Sequence, residues 1–207
     1  MNFNEYSFYV CDTETTSLDN REGDIIELSL IRLNDNQQRT WLLKPVNFSG
    51  ISAEALRVNG HKLEDLNHST KFGKDTYVDR SKVVAEIENW VMEDGFTSDR
   101  RCLIGQNISF DKEYLIQLWK KCGAQDTFPF GRKMIDTMQI VFAMDLASGR
   151  NRQHYSLSSL VEDYGVKKEK AHRADADTRM TRDLWFKVFS ELQSIFNRSA
   201  GGYFNGI

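Results

Sequence analysis

A chain of 207 residues is long enough to bury one sizeable core. Its 40% hydrophobic and 28% charged residues are an ordinary globular balance, and no apolar run approaches the roughly 18 residues of a membrane span. A net charge of −3 argues against a broad basic surface that coats duplex nucleic acid, and is compatible with an acidic site gripping a short strand. The opening MNFNEYSFYVCDTE lacks the basic-then-apolar layout of a secretory leader, so a cytoplasmic location is expected. The three cysteines, Cys11, Cys102 and Cys122, are too widely spaced for a zinc pair or a disulfide framework. Cys11 and Cys102 lie in apolar runs and read as buried free thiols.

In chain order, residues 6–12 form an apolar run ending in an acid, read as a first strand. Residues 24–33 and 37–44 flank the turn Asn34-Asp35-Asn36 and read as an antiparallel hairpin, which Pro45 ends. Ser52–Val58 and Lys62–Leu66 read as short helices around Gly60, and the polar stretch 67–80 as a loop. Ser81 is the expected N-cap of a helix carrying Val84, Ile87 and Val91. Arg101–Gln106 reads as a buried strand, and Ser109 as the cap of a helix through Lys121. A fifth, short strand is expected over Gly131–Asp136. Helices are expected over Thr137–Leu146, Ser156–Tyr164 and about Ala174–Phe196. The expected fold is α/β, a five-stranded mixed sheet flanked by helices in one domain, 1–198, with a short flexible tail, 199–207.

Three short stretches carry chemistry. Asp12 and Glu14 are two apart at the end of a strand, so both carboxylates face one way. Such a pair repels unless a hard, oxygen-preferring cation neutralises it, although D-x-E pairs on solvated surfaces are common. Asp111 closes Asn107-Ile108-Ser109-Phe110-Asp111 at a strand-to-helix junction. An acid in a first helical turn also has a simple role, favouring the helix dipole. Phe110 beside it reads either as core or as a platform for a base. His172 precedes Asp177 by five residues at the start of the last helix. A histidine there can take a proton from water near neutral pH, and is equally at home on a surface. Asp175 and Asp177 do not share a helical face, so only one of them should face the site.

The order D-x-E, N-x-x-F-D, H-x4-D resembles the DEDDh exonuclease superfamily, which includes the proofreading subunit of bacterial DNA polymerase III and ribonuclease T. DTETTSL, IGQNISFDKEYL, and YSLSSLVEDYGV followed by AHRADADTRMTRDLW carry the three motifs. ISAEALRVNGHKLEDL is similar to the intervening segment. The related tyrosine subtype has its base four residues before the last acid, where Arg173 stands here. The resemblance implies a ribonuclease H-like fold and 3'–5' exonuclease activity on nucleic acid, releasing nucleoside 5'-monophosphates, with single-stranded DNA ends preferred. It implies two divalent cations, Mg2+ with Mn2+ as substitute, held by Asp12, Glu14, Asp111 and Asp177, with His172 as general base. Two cations roughly 3.5–4 Å apart can activate water and stabilise the leaving oxygen.

Thr15, Leu18, Asn107, Phe110 and Arg173 are the implied substrate contacts. Lys167, Lys168 and Lys170 are placed either to meet phosphates or simply to solvate a loop. Ser17, Gln106 and Asn59 depart from the pattern, standing where Gly, His and His are usual. The alternatives are an exoribonuclease with the same site, and a non-catalytic nucleic-acid-binding or proofreading module. A polymerase partner or a homodimer is compatible with either.

Overall fold

The computed structural model describes residues 4–68, 70–71, 75–170 and 172–203. Its central sheet has five strands in the order β3-β2-β1-β6-β7. They are β1 (Ser7–Thr15), β2 (Ile25–Arg32), β3 (Gln37–Leu42), β6 (Arg101–Gly105) and β7 (Met134–Asp136). The hairpin is antiparallel to β1, whereas β6 and β7 run parallel to it, so the sheet is mixed. A two-stranded ribbon, β4 (Thr70–Lys71) with β5 (Asp75–Thr76), lies inside the stretch expected to be a loop. Residues 69 and 72–74 of that stretch are outside the described residues.

Alternation along β1 splits the core in two. Tyr9 and Cys11 face helices α3 (Arg80–Met92) and α4 (Ile108–Lys121), packing with Ile87, Trp90, Leu115 and Trp119. Phe8 and Val10 face the opposite layer: α5 (Thr137–Ser148), α6 (Leu157–Asp163) and α7 (Ala174–Tyr203). Val141, Leu160, Leu184 and Trp185 meet them there. Two shorter helices, α1 (Ala53–Asn59) and α2 (Leu63–His68), cover the hairpin end around Ile26.

Several boundaries differ from expectation. β1 continues past residue 12 to Thr15, because Thr13, Glu14 and Thr15 still pair with Leu28, Glu27 and Ile25. Helix α3 is capped by Asp79, whose side chain accepts from the Ser81 amide; a carboxylate suits the helix dipole better than the hydroxyl expected there. Helix α4 begins at Ile108, not at a Ser109 cap. Asn107 precedes it in the left-handed region (φ 58°), where asparagine is tolerated. The last helix reaches Tyr203 rather than Phe196, so 199–203 are helical; 204–207 lie outside the described residues. Among the described residues no helix is long and apolar enough to cross a membrane.

Gly105 ends β6 because nothing larger fits. A Cβ there would sit 2.6 Å from Ile108 Cδ1 and 3.1 Å from the Cys11 carbonyl oxygen. We expect Gly105→Ala to cost about 1–3 kcal/mol, as overpacking does. Urea unfolding would show this as a lowered midpoint at unchanged slope; an unchanged midpoint would refute the close packing.

Candidate active site

The site forms at the carboxyl end of β1. Asp12 and Glu14 project from the face that meets α7, and Asp177 in the opening turns of α7 projects back at them. Carboxylate oxygens from these three residues lie within 4.8 Å of one another. Asp111 arrives from the first turn of α4 and is buried (4% exposed). Thr13, on the opposite face of β1, donates a 2.8 Å hydrogen bond to Asp111 Oδ1. The residue between the two acids thus orients a third.

Electrostatics follow from this crowding. Burial, then Asp111, Glu14, Asp177 and Glu27 push the Asp12 carboxyl well above the usual range. Burial raises Asp111 to about 7, against the opposing bond from Thr13. Asp177 also rises, chiefly by burial. Asp12 Oδ2 and Asp177 Oδ1 are buried with no hydrogen-bond partner. Crowded carboxylates that include orphaned buried oxygens are the donor set that a hard divalent cation takes, so the residues fit the expected metals.

His172 stands in the left-handed region (φ 61°), and its amide donates to Asp177 Oδ2 at 3.0 Å. Its side chain is exposed and lines a cleft of about 310 Å3 together with Asp177, Ser156, Leu157, Ser158 and Met180. His172 and Asp177 of the H-x4-D spacing therefore line the same cleft. Ala171, just before it, lies outside the described residues. Asp175 turns away to Arg173 (3.4 Å) and Arg179 (3.3 Å), which leaves Asp177 as the acid of the cluster.

The other expected contacts are distributed around this centre. Leu18 is 85% exposed on the loop after β1. Thr15 is buried; its hydroxyl donates to Ser17 O at 2.7 Å, and its carbonyl accepts from Asn59 Nδ2 at 3.1 Å. Phe110 is half-buried, its ring 4.9 Å from that of Tyr114. The Asn107 amide donates to Asp136 Oδ1 at 3.1 Å, and its side chain makes no cap bond. Arg173 points inward, Nε 3.4 Å from Glu27 Oε1. Lys168 pairs with Glu162 at 2.6 Å.

The three departures each bond to the scaffold. Ser17 Oγ accepts from the Asp19 amide at 3.2 Å, and Gln106 bridges Tyr155 O (2.6 Å) and Thr137 Oγ1 (2.7 Å). Asn59 holds the Thr15 carbonyl. Sequence reasoning missed Thr13, Glu27, His61 and Tyr77. Glu27 had left a signal, an acid inside the apolar run IIELSL, and His61 another, directly after VNG.

Residues 9–184 match the RNase_T family, described as Exonuclease. The chain belongs to this family, within the DEDDh exonuclease superfamily. It is 25% identical over 194 residues to the PolC-type DNA polymerase III of Staphylococcus saprophyticus, covering 91% of this chain and 12% of that one. It is 28% identical over 197 residues to the PolC-type DNA polymerase III of Thermotoga maritima, covering 93% and 12%. The chain thus spans only about an eighth of the length of these curated relatives. Among solved structures, E. coli exonuclease I in complex with a dT13 oligonucleotide superposes with a TM-score of 0.73 at 15% identity, over 93% of this chain and 43% of that one. Exonuclease I from Methylocaldum szegediense gives 0.70 at 19% identity, over 91% and 41%. These likenesses show the shared ribonuclease H-like fold of the DEDDh family member described here.

Proposed function

We propose that this chain is a metal-dependent 3'–5' exonuclease. It hydrolyses phosphodiesters at the 3' end of DNA, prefers single-stranded ends, and releases nucleoside 5'-monophosphates. The observation that carries this reading is the convergence of Asp12, Glu14 and Asp177, with two of their oxygens buried and unpartnered. Divalent cations, Mg2+ with Mn2+ as substitute, would supply Lewis-acid activation and charge neutralisation at the scissile phosphate. Asp12, Glu14 and Asp177 hold the first of two, and Asp111, oriented by Thr13, completes the set for the second.

His172 accepts the proton of the attacking water. Its place beside Asp177, open to the cleft, suits that role. Leu18, the Thr15 backbone and Phe110 pack on the terminal nucleotide; an apolar side chain as exposed as Leu18 gains most from a sugar or base laid against it. Asn107 holds the turn that presents Phe110 and Asp111. DNA is favoured because the curated relatives are DNA polymerases and a structural neighbour was solved with dT13. The same relatives favour a polymerase-associated setting over a homodimer.

Labelled single-stranded DNA and RNA of one sequence, incubated with Mg2+ with and without chelator, test this reading. We expect mononucleotides to leave the 3' end of DNA faster than of RNA, and chelator alone to stop the reaction. Faster loss from RNA would reassign the substrate. Release from the 5' end, or cleavage that survives chelation, would sink the proposal.

A further inference from the structure

We infer that Arg173 is a positioning residue. It ties the loop bearing His172 to the buried carboxylate of Glu27, and so fixes the imidazole relative to Asp177. This inference rests on the exonuclease reading above.

The backbone of His172 sets the problem. Its φ of 61° is a sparsely populated conformation for a residue other than glycine. Such a conformation persists only where the surroundings over-determine it. One restraint is the bond from its amide to Asp177 Oδ2, at 3.0 Å. The second comes one residue later, where the Arg173 guanidinium reaches Glu27 Oε1 through Nε and Asp175 Oδ1 through Nη2, both at 3.4 Å.

Glu27 makes this anchor firm. Its side chain is fully buried, and its other oxygen lies 3.2 Å from His61 Nε2. His61 Nδ1 in turn meets the Tyr77 hydroxyl at 2.6 Å. A carboxylate removed from water requires opposite charge and hydrogen bonds, and removing one partner of such a pair is strongly unfavourable. Arg173 is therefore held from the inside. Glu27 also pairs with Glu14 across the β1–β2 ladder and bears electrostatically on Asp12. The Arg173 guanidinium offsets part of the charge of this fifth acid beside the cluster. A guanidinium addresses two carboxylates at once through its planar fork, which a lysine ammonium does not reproduce.

A guanidinium that instead contacts substrate phosphate would leave a different kinetic signature. Wild type, Arg173→Ala, Arg173→Lys and Glu27→Gln are compared on single-stranded DNA with Mg2+. We expect Arg173→Ala to lower kcat by roughly 10- to 100-fold, as misplacement of a catalytic group does, with KM and Mn2+ affinity within about threefold of wild type. Arg173→Lys should recover little, and added guanidinium should restore part of the rate. Glu27→Gln should lower kcat similarly, and the double variant should be no worse than the poorer single one. Amide hydrogen exchange at residues 172–175 should speed up in Arg173→Ala.

A raised KM with kcat retained, and a salt dependence shallower by about one phosphate contact, would overturn the inference in favour of a substrate contact. Additive losses, or unchanged exchange, would overturn it as well. If Glu27→Gln fails to fold, the two Arg173 variants carry the comparison, because that side chain is 35% exposed. If wild type itself shows no activity at 3' ends, the exonuclease reading fails, and hydrogen exchange still decides the role of Arg173.

Discussion

Asp12→Ala is expected to lower kcat by on the order of 10^3-fold or more and to abolish saturable Mn2+ binding. The reason is geometric. Asp12 sits beside Glu14 and Asp177, with carboxylate oxygens within 4.8 Å of one another and so within reach of one cation, and its Oδ2 has no protein partner to lose. Each factor of ten in rate is about 1.4 kcal/mol, and charge stabilisation by a bound cation contributes several such factors. Removal of an unpartnered, crowded carboxylate should leave the fold intact, so thermal unfolding in chelator should be no lower than in wild type. His172→Ala provides the contrast. Loss of a general base costs about 10^2- to 10^4-fold, and Mn2+ affinity should survive. Calorimetry and single-turnover rates separate the two. If Asp12→Ala degrades DNA as wild type does, the site is misassigned; if His172→Ala loses metal affinity, His172 is a ligand rather than the base.

The second large effect concerns stability. Asp111→Asn should inactivate the protein and yet stabilise it when chelator is present at pH 8. In the folded chain the Asp111 carboxyl is raised to about 7 by burial, while an unfolded aspartate titrates near 4. Below about pH 4 both states are protonated and the group contributes nothing. As pH rises from about 4 to about 7, the unfolded chain releases its proton first, so folding stability falls; above about 7 the loss is complete. Asp12 and Asp177 are shifted in the same direction. An asparagine removes the charge and still offers Thr13 an acceptor oxygen. The gain at pH 8 should be on the order of a few kcal/mol, or roughly 5–10 °C in Tm, vanishing near pH 4. Mg2+ should close most of the gap by stabilising wild type. A lower Tm for Asp111→Asn at pH 8 in chelator would mean that burial does not disfavour the charged Asp111 carboxylate.

Much of this was legible in the chain before the structure. The apolar run of residues 6–12 and the hairpin around Asn34-Asp35-Asn36 located three strands, because short apolar runs and turn chemistry are local signals. Motif order named five candidate residues, of which Asp12, Glu14 and Asp177 converge and His172 and Asp111 flank them. What local patterns could not carry was partnership. β1 ran on to Thr15 because tertiary pairing with β2 decided its end, whereas the Asp79 cap was a local competition that a carboxylate won over the Ser81 hydroxyl. Arg173 read as a substrate contact, and its ion pair with Glu27, far away in the chain, left no local signal. Thr13 was passed over because it points away from the acids it separates.

The parallel pairing of β1 with β6 joins Ser7 to Arg101 and Val10 to Ile104, across the whole intervening hairpin and helical region. Asp111 follows directly after β6, and Asp177 comes from the far end of the domain. Closing so large a loop costs entropy before any contact repays it, and topologies of this kind form slowly. The hairpin can zip early from neighbouring residues. The acidic cluster cannot exist until both the parallel ladder and the final helix have docked. The acidic cluster thus depends on contacts between segments far apart in the chain.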